Sequence, residues 1–343
     1  MKKYVNLFVC QTRFQLFSIL NIVKQYNFIN YGIVFINTYD GQEKDIKTIW
    51  KNKEQNYIQI NVGTGNRLVR LLKFLLQIAK QGRIKFSRIF VGSFNGYTSL
   101  LLLLLCNKKT QVFFFDEGYS SYSLKYYSDA PMSAIKDRHK ILKIIRDNTF
   151  INSKTIYLFV PELHEERVNG NILKICISDD VVNFFRRDRY SSKYDNANYI
   201  FFDQYPLSKT EEDKRYEILG FLNDELGTKC LIKTHPRKDI VNSVHIEDVS
   251  IIDDDTNLWE AESKDIIKDN KILVTVYSTA VFMPSLLFEL NYKIILLYKL
   301  VYSSDSTKYR EIDDFVKRFR KIRSDIEIFL PENYHELKSL LVL

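Results

Sequence analysis

The stretch Cys230-Leu-Ile-Lys-Thr-His-Pro-Arg-Lys-Asp239 starts as a short apolar strand and passes directly into a charged turn. This order predicts that His235 lies at the carboxyl edge of a strand. Pro236 has no backbone N–H and a fixed φ, so it ends the strand and keeps His235 extended. Ligands of open α/β sheets bind at that edge, and the three cations around His235 suit an anionic leaving group. A surface turn with scattered charge is the simpler alternative, so the choice depends on the rest of the chain.

Outward from this stretch, apolar strand-like runs alternate with amphipathic segments of helical period. The pattern predicts strands at residues 5–10, 32–37, 57–62, 88–92, 111–115, 155–160, 172–177, 199–202, 229–233, 271–277 and 293–298. It predicts helices at residues 16–26, 68–80, 98–106, 133–147, 181–187, 209–226 and 281–290. Strands that alternate with helices indicate parallel sheets covered by helices.

The domain organisation follows from length and from a break in the pattern. A chain of 343 residues is longer than a typical single domain, and the alternation restarts after a polar, aperiodic run. We therefore predict an α/β protein with two Rossmann-like domains facing a cleft. The predicted boundaries are 1–187 for the N-terminal domain, 188–198 for the linker, 199–325 for the C-terminal domain and 326–343 for a helical tail.

Composition excludes several classes of function. The 50 Lys and Arg residues exceed the 42 Asp and Glu residues by only 8, and they show no zinc-finger spacing, RNA-binding signature or Arg-rich arm. Nucleic acid is therefore not an expected partner. The four cysteines, Cys10, Cys106, Cys176 and Cys230, are far apart in apolar surroundings, which favours reduced core thiols and a cytoplasmic protein. The leucine run at residues 100–105 is shorter than the roughly 20 residues of a membrane span, and the N-terminus predicts a strand instead of a signal peptide.

A pair of carboxylates follows the apolar strand at residues 111–115. Asp116 and Glu117 end this strand, and Gly118 permits the turn that follows. Neighbouring strand residues point to opposite faces, so only one of the two carboxylates faces a given cleft. Burial or a like charge raises the pKa of a carboxyl group and makes it a usable base near neutrality. The alternative for Asp116 is an N-cap of the next helix.

Two hydroxyl residues follow the strand at 271–277. Ser278 and Thr279 come directly before the helix predicted at 281–290, whose first N–H groups and positive dipole end form an anion site. The first half thus offers carboxylates, and the second half offers a histidine and a phosphate pocket. This division suits group transfer from a nucleotide-activated donor, in which a base deprotonates the acceptor hydroxyl and an acid receives the departing phosphate.

Three motifs resemble those of bacterial sialyltransferases. Asp116-Glu-Gly118, His235-Pro236 and Ser278-Thr279 stand in the order of the D/E-D/E-G, HP and paired-hydroxyl motifs of those enzymes. The opening Asn6-Leu-Phe-Val-Cys-Gln-Thr12, with Gln15, is most similar to glycosyltransferase family 52, which includes lipooligosaccharide and capsule sialyltransferases. The resemblance covers most of the chain through motifs of two or three residues each. It implies a GT-B type fold, with the acceptor on the N-terminal domain and the nucleotide sugar on the C-terminal domain.

The resemblance also implies a role for each matching residue. Asp116 would be the general base, His235 would protonate or steady the leaving phosphate, and two hydroxyls would hold it. The residues assigned to donor binding are Glu117, Gly118, Lys233, Pro236, Arg237, Glu260, Glu262, Ser278 and Thr279.

Two of these assignments have alternatives that the sequence leaves open. Either Glu260 or Glu262 would contact the cytidine ribose. The base is also open, because some members of the family are thought to use a carboxylate closer to the HP motif. That position points to Asp203, or to Asp213 in the cluster Glu211-Glu212-Asp213.

The function expected from the resemblance is inverting transfer of sialic acid from CMP-sialic acid to a galactose-type hydroxyl of a lipooligosaccharide or capsule glycan. The donor is a substrate, and no metal or other cofactor is expected. The expected partners are the donor and the glycan acceptor, with peripheral contact to the inner membrane and a homodimer as further options. The alternatives are a CDP-glycerol or CDP-ribitol teichoic-acid-type transferase, a CMP-Kdo transferase, and a non-catalytic nucleotide-binding subunit of an envelope-polysaccharide complex. Acceptor and linkage leave no mark in the sequence.

Overall fold

The computed structural model describes residues 2–3, 5–37, 57–63, 66–81, 84–92, 96–106, 109–122, 155–164, 171–186, 193–204, 208–235, 250–252, 258–267 and 271–341. The chain divides into two compact units, Met1–Phe185 and Arg186–Leu343. The acceptor and donor roles of the two predicted domains stay predictions.

The first unit is built on a parallel sheet of seven strands. Its elements, in chain order, are β1 (Lys2–Lys3), β2 (Asn6–Cys10), α1 (Arg13–Gln25), β3 (Tyr31–Asn37), β4 (Tyr57–Asn61), α2 (Arg67–Lys80), β5 (Ile84–Lys85), β6 (Arg88–Val91), α3 (Gly96–Leu105), β7 (Gln111–Phe115), β8 (Thr155–Leu158), β9 (Asn171–Lys174) and α4 (Asp179–Phe185). The sheet order is β4-β3-β2-β6-β7-β8-β9, so the order of the strands reverses between β2 and β6. Strands β1 and β5 pair separately.

These strands form because their residues are apolar on both faces. All five residues of β2 are buried, and Leu7, Val34 and Ile89 from three adjacent strands belong to one hydrophobic core. Helix α1 begins at the N-cap Thr12, whose hydroxyl accepts from the backbone N–H of Gln15 at 3.1 Å. Buried strands flanked by capped helices are the expected pattern of a doubly wound sheet.

The second unit repeats this plan with six parallel strands. Its elements are α5 (Lys193–Asn196), β10 (Tyr199–Phe202), α6 (Lys209–Leu226), β11 (Cys230–Lys233), β12 (Ser250–Ile252), α7 (Trp259–Ile266), β13 (Ile272–Thr275), α8 (Met283–Phe288), β14 (Lys293–Leu296), α9 (Tyr298–Val301), α10 (Thr307–Ile322), β15 (Glu327–Phe329) and α11 (Tyr334–Leu340). The sheet order is β12-β11-β10-β13-β14-β15, with the reversal between β10 and β13. Both units therefore have the Rossmann strand order, and the expectation of two Rossmann-like halves is confirmed.

The C-terminal residues differ from the predicted helical tail. Strand β15 pairs with β14 and forms one edge of the sheet, and the hydroxyl of Tyr199 donates to the carbonyl of Leu341 at 2.8 Å. Residues 327–341 are thus part of the second unit's fold. A three-residue strand carries too short a pattern to identify without its pairing partner.

The predicted linker also contains ordered structure. Residues 193–196 form α5, Tyr194 is buried, and the ammonium of Lys271 donates to the Tyr194 carbonyl at 2.5 Å. The helix predicted at 133–147 lies outside the described residues. Among the cysteines, Cys10 and Cys230 are buried, but Cys176 is exposed, so the expectation of a core thiol is wrong there. Among the described helices, none has both the length and the apolar composition needed to cross a bilayer.

Candidate functional site

In the first unit, polar side chains meet at the carboxyl edge of β2, β6 and β7. The side-chain carbonyl of Gln15 accepts from the backbone N–H of Gln11 at 2.7 Å, and its Nε2 donates to Glu117 Oε2 at 3.0 Å. The Nε2 of Gln11 donates to the hydroxyl of Thr98 at 2.7 Å. These bonds connect the loop after β2 to the loop after β7, across the point where the strand order reverses.

This connection needs a glycine at the end of β6. A Cβ atom on Gly92 would lie 3.0 Å from both Cδ and Nε2 of Gln15, and 3.1 Å from Cε2 of Phe115. Those distances are below ordinary van der Waals contact, so a side chain at position 92 would require Gln15 or the Phe115 ring to shift. Gly92 was not among the residues predicted for the site.

The carboxyl group of Asp116 is enclosed by the protein. Asp116 is 0% exposed, and its Oδ1 accepts from the backbone N–H of Gly118 at 2.9 Å. Its Oδ2 accepts from the backbone N–H of Phe159 at 3.2 Å and from the hydroxyl of Tyr122. Burial raises the pKa of Asp116 to about 6, against the lowering effect of these three hydrogen bonds. Asp116 thereby ties the turn after β7 to the end of β8.

Glu117 has a different environment from its neighbour. It is partly exposed, and its backbone N–H donates to the hydroxyl of Ser121 at 2.8 Å. Gly118 next to it has φ 104°, a backbone conformation that favours glycine. Adjacent carboxylates thus lie in different environments, and Glu117 is the one with solvent contact.

In the second unit, Asp203 follows β10 and binds the main chain of His235. The Asp203 carboxylate forms a buried pair with Arg215, 2.6 Å from Nε to Oδ1 and 3.0 Å from Nη2 to Oδ2. The backbone N–H groups of Gln204 and His235 also donate to this carboxylate. Burial raises the pKa of Asp203, although Arg215 and the hydrogen bonds oppose that shift. This carboxylate therefore fixes the position of His235.

Asp213, the other alternative base, lies on α6 and is exposed. Its carboxylate is 3.1 Å from the ammonium of Lys209, one turn earlier on the same helix. Lys209 also pairs with Glu212 at 3.1 Å. This arrangement is typical of a solvated helix face.

His235 is partly exposed at the carboxyl edge of β11, as the sequence predicted for its place on the strand. Lys233 at the end of β11 lies close enough to Glu260 for its charge to lower the glutamate's pKa. Burial has the larger and opposite effect, and raises the pKa of Glu260 to about 7. Glu262 is nine-tenths buried. Glu260 is therefore coupled to the strand that carries His235.

The hydroxyl residues lie at the carboxyl edge of β13, in a 3₁₀ turn at Thr279–Val281. The Ser278 hydroxyl accepts from the backbone N–H of Ala280 at 3.3 Å, and the Trp259 indole N–H donates to the Ala280 carbonyl at 2.8 Å. Trp259 is the first residue of α7, so this bond brings Glu260 to the same edge. The second unit thus collects His235, Glu260, Ser278 and Thr279 around the reversal between β10 and β13.

The helix predicted at 281–290 is shorter than expected. Helix α8 spans Met283–Phe288, with a proline in its first turn, and ends at Glu289 with φ 57°. The 3₁₀ turn, and not the first turn of this helix, follows the two hydroxyl residues directly. The two hydroxyl residues therefore do not lie at the N-terminus of a helix of the predicted length, and the anion site stays a prediction.

An aromatic cluster that the sequence did not indicate lies beside this turn. Tyr277 and Tyr302 have ring centroids 5.8 Å apart and share a hydrogen bond, and Tyr302 also bonds Glu211. The ammonium of Lys308 lies 4.1 Å from the centroid of the Tyr277 ring, and burial lowers the pKa of Lys308. Because these residues come from four separate segments, no local spacing could reveal the cluster.

Some predicted residues lie outside what the structure describes. Pro236 and Arg237, and the polar run at 253–255, are outside the described residues. Within the described parts of the chain, no three His, Cys, Asp or Glu side chains are placed to hold one metal ion. The expected independence from metal stays a prediction.

The comparisons with known proteins give similarity in fold. No family model and no curated protein sequence matches the chain. The structure is similar to spinosyn rhamnosyltransferase SpnG complexed with thymidine diphosphate, with a TM-score of 0.55 at 7% identity, over 100% of this chain and 92% of SpnG. A putative UDP-N-acetylglucosamine 2-epimerase from Listeria monocytogenes has a TM-score of 0.50 at 9% identity, over 100% and 96% of the two chains. A sialyltransferase from Photobacterium damsela has a TM-score of 0.47 at 12% identity, over 96% and 81%.

The first two similarities confirm the predicted fold class, GT-B with two Rossmann-like units. They join a glycosyltransferase and an epimerase in one fold. Because one fold supports different reactions, activity has to be argued from the site residues.

Proposed function

We propose that the protein is a glycosyltransferase that uses a nucleotide-activated sugar. The observation that carries this proposal is the set of side chains at the reversal point of the second sheet. A histidine, a paired-hydroxyl turn and a carboxyl group with a raised pKa lie where Rossmann-order sheets bind nucleotides. The histidine can transfer a proton, the hydroxyls can bind a phosphate, and the carboxyl group can bind a ribose.

The donor we propose is CMP-sialic acid, and the acceptor is a galactose-type hydroxyl of a lipooligosaccharide or capsule glycan. The order of the three sequence motifs supports this choice. The leaving group of a CMP-linked sugar is CMP, which carries a single phosphate group, and His235, two hydroxyls and backbone N–H groups can stabilise its charge without a metal. His235 is proposed to protonate or steady that phosphate, and Ser278 and Thr279 to hold it.

The acidic pair at the end of β7 is proposed to act on the acceptor. The acceptor hydroxyl gives its proton to a carboxylate, its oxygen bonds to the anomeric carbon, and the bond to the CMP phosphate breaks with inversion. The sequence assigned the proton transfer to Asp116. The structure supports Glu117 for that step, because Asp116 is enclosed and accepts three hydrogen bonds, whereas Glu117 has solvent contact. Gln15 would orient Glu117 through their hydrogen bond.

The test is donor cleavage by the purified protein. CMP-sialic acid, CDP-glycerol and CMP-Kdo are supplied separately, with and without EDTA and a galactose-terminated acceptor, and released CMP is measured. We expect CMP from the sialic acid donor alone, unaffected by EDTA. Release from CDP-glycerol alone would instead assign teichoic-acid-type chemistry, and release from CMP-Kdo alone a Kdo transferase. CMP binding without turnover on any acceptor would support a non-catalytic subunit.

A further inference from the structure

Helix α2 exposes an apolar stripe. Leu68, Leu72 and Leu76 are 70%, 59% and 61% exposed, and their spacing of four residues places them on one face of the helix. Val69 beside them is 43% exposed. Four of the seven large hydrophobic side chains that are exposed in the described part of the chain lie on this one helix. Such a concentration marks an interaction surface.

The opposite face of α2 fixes the helix to the first unit. Phe74 and Ile78 are buried in the same hydrophobic core as the adjacent strand β4. The backbone N–H of Asn61, at the end of β4, donates to the side-chain carbonyl of Gln77 at 2.8 Å. The exposed leucines therefore lie on the solvent-facing side of α2, and the opposite side packs against the core of the first unit.

The charge around this stripe is of one sign. Helix α2 contains Arg67, Arg70, Lys73 and Lys80 and no acidic residue. The whole stretch 55–115 contains nine Lys and Arg residues and no Asp or Glu, so its +9 exceeds the net charge of +8 of the entire chain. The protein's excess positive charge thus belongs to the segment that carries the apolar stripe, although the chain as a whole is only mildly basic.

We propose that α2 docks the protein on an anionic lipid surface. Exposed leucines on one face with lysine and arginine beside them are the pattern of a helix that lies in the membrane interface. The cations match lipid phosphates, and each contributes attraction near an anionic surface. A second copy of the chain fits less well, because face-to-face packing of two α2 helices would bring Lys73 and Lys80 of both copies together with no carboxylate from either helix.

The position of α2 agrees with this assignment. Helix α2 follows β4, so its first turn lies toward the carboxyl edge of the first sheet, the edge that carries Gln15 and Glu117. A protein docked by this helix has the first turn of α2, which lies toward that edge, at the lipid surface. The docking inference stands on the helix itself and does not depend on the proposed reaction.

The test is co-sedimentation of the full-length protein with phosphatidylcholine vesicles that either contain or lack phosphatidylglycerol. We expect binding to the anionic vesicles that weakens as salt is raised, because salt screens charges at a surface. Leu68→Gln, Leu72→Gln and Leu76→Gln combined should lower the partition coefficient at least about tenfold, since apolar burial supplies much of the interfacial affinity. Lys73→Gln with Lys80→Gln should lower it about fivefold per cation, on anionic vesicles only.

Matched controls come from exposed residues elsewhere in the chain. Ile29→Gln removes an apolar side chain that is 94% exposed, and Lys229→Gln with Lys321→Gln removes two exposed cations. Both variants should bind vesicles like the wild type. Thermal unfolding of every variant shows whether the fold is intact, and CMP release with a soluble acceptor reports separately on the reaction.

Several results would overturn the inference. Lipid would be excluded as the partner if the wild-type protein did not bind anionic vesicles, or if the α2 variants bound as well as the controls. Sedimentation equilibrium showing a dimer that the leucine substitutions abolish would assign the stripe to a second copy of the chain. Vesicle binding with no turnover of any donor would leave the docking inference intact and reject only the proposed reaction.

Discussion

At the scale of single residues, the two neighbouring carboxyl groups after β7 are placed for different tasks. Asp116 accepts three hydrogen bonds inside the protein, and Glu117 reaches the surface beside Gln15. Proton transfer by a positioned side chain is worth about 10²–10⁴-fold in rate. A carboxyl group that holds a turn, as Asp116 does, contributes instead to the free energy of unfolding.

Glu117→Gln should therefore lower the rate of CMP release by about 10²–10⁴-fold and leave the unfolding midpoint unchanged. Asp116→Asn should lower the free energy of unfolding by about 1–3 kcal/mol, because an amide N–H₂ would face donors inside the protein. Urea unfolding and steady-state kinetics on both variants separate the two roles. A stable Asp116→Asn variant without activity, beside a fully active Glu117→Gln variant, would return the base to Asp116.

The raised pKa of Glu260 predicts a pH dependence of stability. The pKa of this group is about 7 in the folded protein, because burial disfavours its charged form, against 4.5 for an ordinary glutamate. Between these values the folded state binds more protons than the unfolded state, so stability falls as pH rises from about 4.5 to about 7 and then levels off.

Glu260→Gln should remove that component of the pH dependence. The change is on the order of 1 kcal/mol, less than the full shift implies because the residue is partly exposed. Urea unfolding of both proteins at a series of pH values measures it. Asp224→Asn, at an exposed position on α6, is the control and should keep the wild-type profile. Parallel curves for wild type and Glu260→Gln would contradict the raised pKa of this carboxyl group.

At the scale of elements, the packing of the loops at the reversal point of the first sheet depends on a glycine, Gly92. Gly92 leaves the space through which Gln15 reaches Glu117. A methyl group there has to displace either Gln15 or the Phe115 ring, and overpacking of this kind costs about 1–3 kcal/mol.

Gly92→Ala should therefore lower both the unfolding midpoint and the rate of CMP release. Gly220 on α6 is a matched control, because a Cβ there would meet nothing within 4 Å. Gly220→Ala should raise stability by about 0.5–1 kcal/mol, since alanine favours the helix, and should leave activity unchanged. Equal behaviour of the two alanine variants would show that Gln15 can occupy another position without loss.

At the scale of the whole molecule, most of the fold could be predicted because parallel strands buried on both faces appear as short apolar runs. The runs at 111–115 and 199–202 match β7 and β10 in both bounds. Helix α10 was not predicted, although Ser306 caps it and its buried Ile312, Phe315, Val316 and Phe319 follow helical spacing. Strands β12 and β15 could not be predicted, because a three-residue strand depends on the partner beside it rather than on its own pattern.

The candidate site was predictable only where a strand end marks it. His235, Ser278 and the Asp116-Glu117 pair follow apolar runs, and the structure places them at sheet edges. The pairing of Asp203 with Arg215, the passage of Gln15 over Gly92 and the Tyr277 cluster join positions far apart in the chain. Contacts of that kind depend on the folded topology, which no local spacing encodes.

Asp203 accepts a hydrogen bond from the backbone N–H of His235, so this contact does not depend on the side chain at position 235. Every residue except proline has a backbone N–H, so exchange of the histidine for another side chain leaves a donor for this hydrogen bond. Evolution can therefore change the side chain at this position without changing the sheet next to it. One ancestral scaffold of this kind can give descendants with unrelated reactions, because the side chain at this position can change while the main chain stays in place.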